Sequence, residues 1–194
     1  MAPISFANEI MRKGIHLTSI IIILVYALFD KQATQLLLIA YLVIILGIEH
    51  LRLDRGIRLP VLHVLLRRKE LAGMGSYVYF TLGALVAVSV FSKDVAFAAI
   101  LMTTFGDMTA ALIGKRYGRT RIFSNGKSLE GSVAEFVVNL LIALILLGNP
   151  AIAFFMAFVA TYVETTFVKI DDNLAIPVFS GAFAEMAFLI MPHL

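Results

Sequence analysis

The 194 residues are 60% apolar, with a mean hydropathy of +0.93 and a net charge of only +3. Soluble domains are nearer ~45–50% apolar, so this chain has too little polar surface to face water on every side, and lipid must be part of its solvent. Cysteine is absent, which excludes disulfides, thiolate metal sites and a cysteine nucleophile. The apolar run after Arg12 and Lys13 carries no signal-cleavage pattern and is expected to remain as a span.

Seven stretches approach the roughly 20 residues that cross a bilayer core: 14–29, 33–48, 76–91, 95–113, 131–148, 150–168 and 174–191. The first three are short and are expected to borrow flanking residues. The runs do not alternate, which excludes a membrane β-barrel. The expected fold is all-α: one integral membrane domain over 1–194, a bundle of about seven spans. Seven spans put the N-terminus, the loops 49–75 and 114–130, and the segment 169–173 on one side. That side holds fourteen of the sixteen Lys and Arg residues, all but Lys31 and Lys93, and the positive-inside rule makes it cytoplasmic. Within 57–69, the apolar Ile57, Val61, Leu62, Leu65 and Leu66 lie among Arg58, Arg67 and Arg68, and Pro60 suits a first helical turn. This pattern predicts a short interfacial helix between the second and third spans. Residues 119–130 contain the turn signal Ser124-Asn125-Gly126 and are expected to form a loop.

Ionisable groups are costly in hydrocarbon, yet His16, Glu49, Asp107, Glu135, Glu164 and Glu185 lie in or at the edge of apolar runs. Most fall on the cytoplasmic half. Four segments carry the chemistry. In GDMTAALIGKRYG (106–118), Asp107, Ala110, Ala111, Gly114 and Gly118 share one helix face, and the small residues admit a close neighbour. Asp107 lies about 10 Å below Gly114 at the helical rise, with Lys115 and Arg116 at the membrane surface. A carboxylate beneath two cations suits a divalent metal and a polyphosphate; a helix-packing face is the structural alternative. GKSLEGS (126–132) has the look of a P-loop end, but no earlier glycine and no βαβ unit support it. What remains is a glycine-bracketed loop with Lys127, Ser128 and Glu130 at a helix start, an anion-favouring place, or simply a start capped by Ser128. ETTFVKIDDNLAIP (164–177) brings Glu164, Asp171, Asp172 and Asn173 to the junction of the last two spans. Those hard oxygens suit Mg²⁺; a polar turn with Asn173 as a helix cap is the alternative. RKGIH (12–16) places Arg12 and Lys13 before the first span.

Together these four segments resemble the CTP-dependent lipid kinases, a group including dolichol kinase, phytol kinase and yeast-type CTP-dependent diacylglycerol kinase, and related to the phosphatidate cytidylyltransferases. The resemblance runs from Arg12 to Pro177. It implies CTP as phosphoryl donor, Mg²⁺, a long-chain lipid alcohol as acceptor, and Arg12, Lys13, Asp107, Gly114, Lys127, Glu130, Asp172 and Asn173 in the site. In that reading Asp107, with Glu164 or Asp172, holds the metal. Arg12, Lys13, Gly114, Lys115, Arg116, Lys127, Ser128, Asp172 and Asn173 surround the nucleotide. Glu130 or Glu135 serves as general base, and apolar span faces form a lateral groove for the lipid tail. The chain is shorter than the dolichol kinases, which leaves the acceptor open among polyprenols, other isoprenoid alcohols and diacylglycerol. The expected partners are CTP, the lipid alcohol and the bilayer, with a homo-oligomer compatible and nucleic acid excluded; the expected location is a prokaryotic cell membrane. The alternatives are a cytidylyltransferase using the same loops and, from another class, an ion-coupled transporter with carboxylates distributed through the membrane depth.

Overall fold

The computed structural model describes residues 17–57, 66, 70–121, 126–167 and 169–190. Arg12, Lys13 and His16 lie outside these residues, as does the expected interfacial helix apart from Ile57 and Leu66.

The described residues form seven helices, one in each apolar stretch, and no strand; a single bridge joins Arg121 and Ser128. A 3₁₀ turn, Leu17–Ser19, leads into α1 (Ile20–Leu28). There follow α2 (Lys31–Leu53), α3 (Ser76–Val90), α4 (Lys93–Tyr117), α5 (Leu129–Leu147), α6 (Pro150–Thr166) and α7 (Asp172–Ile190). Four of them, α2, α4, α5 and α7, are long and apolar enough to cross a membrane, and α3 and α6 are shorter apolar helices of 15 and 17 residues. Large apolar side chains such as Val43, Ile44, Ile145 and Leu189 are 60% or more exposed, as lipid-facing positions of a bundle must be.

Local chemistry sets the turns. Asp30 Oδ1 accepts the Ala33 N–H at 2.7 Å to start α2. Gly148 closes α5 with φ +67, a left-handed geometry that favours glycine. Asn149 then caps α6, accepting the N–H groups of Ala151 and Ile152, with Pro150 in the first turn where its missing N–H is harmless.

α4 is the central helix. Over half of its most apolar stretch, 56%, is buried inside protein, against 17% for α2. Its small side chains, Ala96, Ala98 and Ala99, are fully enclosed. Between Met102 and Gly106 it widens into a π turn. The hydroxyls of Thr103 and Thr104 there donate to the carbonyls of Ala99 and Ile100, and such competition for carbonyls loosens the α pattern. The turn ends at Asp107.

α7 contains Pro177, which cannot bond the carbonyl of Asn173 one turn earlier. Gly83 of α3 packs against that place: a Cβ there would lie 2.7 Å from both Asn173 O and Pro177 Cγ. At the opposite end of α7, Glu185 accepts the backbone N–H and hydroxyl of Ser92, both at 2.9 Å, and so ties α7 to the start of α4.

Candidate functional site

The C-terminal ends of α4 and α6 and the N-terminal ends of α5 and α7 meet at one end of the bundle around a cavity of about 190 Å³. The small face of α4 explains why the helices approach so closely. A Cβ on Gly131 would lie 2.8 Å from Ala110 O and 3.2 Å from Gly114 Cα, and one on Gly114 would lie 3.1 Å from Ser128 Oγ. Gly114, Lys115, Ser128 and Ser132 line the cavity wall.

The chain reaches α5 through a turn held by its own polar groups. Leu129 N–H bonds Thr120 O at 2.9 Å, Glu130 accepts the Thr120 N–H at 3.0 Å, and Arg121 donates to the Gly126 carbonyl. Gly126 has φ +80, which a side chain would strain. Ser128 caps α5, accepting the Gly131 N–H at 3.2 Å. This turn directs Lys127 inward, where its Nζ lies 2.5 Å from Glu164 Oε1 and 3.6 Å from Asp172 Oδ2, and also donates to the Glu164 carbonyl. Burial alone acts to lower the Lys127 pKa, but the carboxylates of Glu164 and Asp172 outweigh it and hold the pKa above the ordinary lysine value. Lys127 is therefore a fixed cation.

Carboxylate oxygens of Asp107, Glu164 and Asp172 lie within 4.8 Å of one another. They come from α4 and from the junction of α6 and α7, where Glu164 and Asp172 lie eight residues apart and Asp107 57 residues before Glu164. Glu164 Oε2 is buried without a hydrogen-bond partner, an open position for a further cation. Three hard oxygen donors, one with an unused buried oxygen, fit Mg²⁺. Beneath them Glu135, fully buried, lies within electrostatic reach of Glu164 and Asp107. Asn139 Nδ2 holds it, donating to Glu135 Oε1 at 3.3 Å and to Thr161 Oγ1 at 3.2 Å.

Asp107, Gly114, Lys115, Lys127, Ser128, Glu164 and Asp172 thus share one cavity, with Glu135 below it. Other residues singled out in the sequence stand elsewhere. Arg116 turns outward, its guanidinium over the Tyr117 ring and bonded to the Tyr117 hydroxyl. Glu130 fastens the loop through Thr120 on the outer side. Asn173 is not the cap of α7. Asp171 has that role, accepting the Asn173 N–H with its side chain and the Leu174 and Ala175 N–H groups with its carbonyl, while the Asn173 side chain donates to Asp171 and Asp172. Expecting Asn173 at the cap placed the helix start two residues late. Arg121 and Asn139 were not singled out. For Asn139 the signal was present, a lone amide four residues after Glu135 on the same helix face.

No family model and no solved structure matches the chain. Known proteins do. It is similar to the CTP-dependent diacylglycerol kinase 1 of Eremothecium gossypii, 30% identical over 177 residues, covering 72% of this chain and 56% of that kinase. An uncharacterized protein of Methanocaldococcus jannaschii is 32% identical over 88% of this chain and 89% of its own length. The probable chloroplastic phytol kinase 1 of Glycine max is 30% identical over 57% of this chain and 43% of its own. The chain therefore spans just over half the length of the Eremothecium kinase that it matches. With its bundle of apolar helices, it is an integral membrane protein, and it belongs to the family of the CTP-dependent lipid kinases.

Proposed function

We propose that the chain transfers the γ-phosphoryl group of CTP to the hydroxyl of a membrane lipid alcohol, with Mg²⁺, at the cytoplasmic membrane face. The observation that carries this reading is the meeting of Asp107, Glu164, Asp172 and Lys127, from three separate segments, at one end of a membrane helix bundle. The donor follows from relatives that are named CTP-dependent kinases, and the acceptor class from relatives named diacylglycerol, phytol and dolichol kinases. The basic residues of the site end, Arg52, Arg55, Lys115, Arg116, Arg119, Arg121, Lys127 and Lys169, against Lys31 and Lys93 at the other, support the cytoplasmic side.

Phosphoryl transfer asks a protein mainly to position groups and neutralise charge. Asp107, Glu164 and Asp172 are the residues to hold Mg²⁺, which when bound offsets charge on the phosphate oxygens. Lys127 offers a fixed positive charge to those oxygens, and Lys115 and Arg121 add two at the cavity mouth. The acceptor oxygen bonds to the γ-phosphorus, the bond from that phosphorus to its bridging oxygen breaks, and CDP leaves. Glu135 is better placed than Glu130 to take the acceptor proton, since Glu130 is engaged with Thr120 outside the cavity.

Purified protein in lipid nanodiscs, γ-labelled CTP, Mg²⁺ and a panel of polyprenols, geranylgeraniol, phytol and diacylglycerol test this reading. The expected products are a labelled lipid monophosphate and CDP, both lost with EDTA. No labelled lipid from any acceptor overturns it, and pyrophosphate in place of CDP moves the reaction to cytidylyl transfer.

A further inference from the structure

A second space adjoins the carboxylate cavity. Val133 and Phe136 of α5 face Phe158 and Tyr162 of α6 across a groove of about 320 Å³. Ser132 lines both spaces, and Thr165, in the groove, follows Glu164, in the cavity. The two meet at one polar corner.

The serine and threonine hydroxyls along the groove are already engaged. Ser132 donates to Ser128 O at 3.1 Å, Thr165 to Thr161 O at 2.8 Å and Thr166 to Tyr162 O at 2.6 Å, while Thr161 accepts from Asn139. The walls therefore present methyl groups and ring faces, the latter including the stacked Phe158 and Tyr162 rings at 6.1 Å. No charged residue lines the groove, so a nucleotide phosphate has no counter-charge there. Val133 and Tyr162 are each 54% exposed and Phe158 51%, so the groove is open sideways, where lipid lies.

We infer that this groove holds the hydroxyl-proximal part of the acceptor's apolar chain, admitted sideways between α5 and α6, with its hydroxyl passing Ser132 into the carboxylate cavity. This rests on the kinase reading above. The commitment to an acceptor, rather than a bystander lipid, comes from the continuity of groove and cavity. From Phe158 to Thr166 the helix rises only about 12 Å. The groove therefore grips the first stretch of chain and leaves the remainder in the bilayer. Selectivity should reside near the hydroxyl, and added length beyond the groove should count for little.

Linear and isoprenoid primary alcohols of increasing length, with CTP in nanodiscs, give the first readout. The expected kcat/KM rises with length until the groove is filled and then levels off. Val133→Trp, at a half-exposed position, should lower kcat/KM for long acceptors by about tenfold and flatten the rise. An unchanged length profile in that variant overturns the inference. A diazirine-bearing long-chain alcohol gives a second readout that needs no turnover. Adducts on α5 and α6 that unlabelled long-chain alcohol displaces support the groove. Adducts confined to α1 and α2, or undiminished by competitor, overturn it. Displaceable adducts on α5 and α6 in a protein that phosphorylates no alcohol would sink the kinase reading and leave the groove standing.

Discussion

Two buried carboxylate centres lie at the same end of the bundle and are finished differently. Glu49, 2% exposed, is closed: its oxygens take the Arg52 guanidinium at 3.1 and 2.5 Å and the Tyr77 hydroxyl. Arg52 spends its other donors on the carbonyls of Glu70, Leu71 and Gly73, so that one ion pair ties residues 70–73, just before α3, to the end of α2. The centre around Asp107, Glu164 and Asp172 is open. Lys127 is shared between two carboxylates, and Glu164 Oε2, Glu135 Oε2 and Asn139 Oδ1 are buried without a hydrogen-bond partner. A satisfied network gives rigidity, whereas an unsatisfied one costs stability and persists where a ligand completes it. The two centres teach that burial of a carboxylate marks neither role by itself; the unused hydrogen-bonding capacity does.

The sharpest way to break this contrast is to remove one group from each. Asp107→Asn should lower phosphoryl transfer by at least about a hundredfold, the scale of losing a group that stabilises transition-state charge. Its thermal midpoint without Mg²⁺ should hold or rise, because one of several crowded negative charges is gone. The stabilisation by Mg²⁺ expected of the wild type should disappear with it. Arg52→Ala should do the reverse. It strands Glu49 in the interior and should cost roughly 3–5 kcal/mol, with activity per folded molecule retained. Circular dichroism melts in detergent and product counting at low temperature read the two separately. If Asp107→Asn destabilises as Arg52→Ala does and keeps its activity, the open centre is structural after all.

The fold was largely legible because membrane helices announce themselves by length and apolarity, and each of the seven stretches carries a helix. Glu49 and Glu164 looked alike at that level, each a carboxylate near the end of an apolar run. Glu49 has a local partner in Arg52 three residues on, but Tyr77 and Lys127 lie 28 and 37 residues from Glu49 and Glu164, and no local pattern fixes such partners. Periodicity found the small face of α4 because spacing of three and four is a local property. It did not find the π turn before Asp107, which depends on Thr103 and Thr104 competing for carbonyls, nor the outward rotation of Arg116. Glu130 and Glu135 were indistinguishable as bases for the same reason: five residues on a helix put them on different faces, but only the packed neighbours say which face is inside.

The π turn offers a finer test of how the open centre is held. A Cβ on Gly106 would collide with Asn139 Oδ1, and Asn139 in turn holds Glu135. Gly106→Ala should destabilise by about 1–3 kcal/mol through overpacking and should also lower activity by displacing Glu135. Because the cost lies in one contact, Gly106→Ala with Asn139→Ala should recover part of the stability but not the activity. Such non-additivity, read in a double-mutant cycle, separates strain at the turn from loss of the Glu135 support. Strict additivity would mean that Gly106 and Asn139 act apart.

The smallest effect is expected at the far end, where Glu185 accepts both polar groups of Ser92 at the start of α4. Ser92 makes no side-chain capping bond of its own, so the carboxylate takes the place of a cap and faces the positive end of the α4 dipole. Glu185→Gln keeps an acceptor oxygen and loses the charge, a change of about 0.3–1 kcal/mol. Lipid phosphate formation should be unaltered. This small change is informative because Glu185 is the carboxylate that an ion-coupled transporter would need near the opposite side of the bundle. A large loss of activity in Glu185→Gln would show that a required charge stands at both ends, and the separation of an open, working end from a closed, structural one would fail.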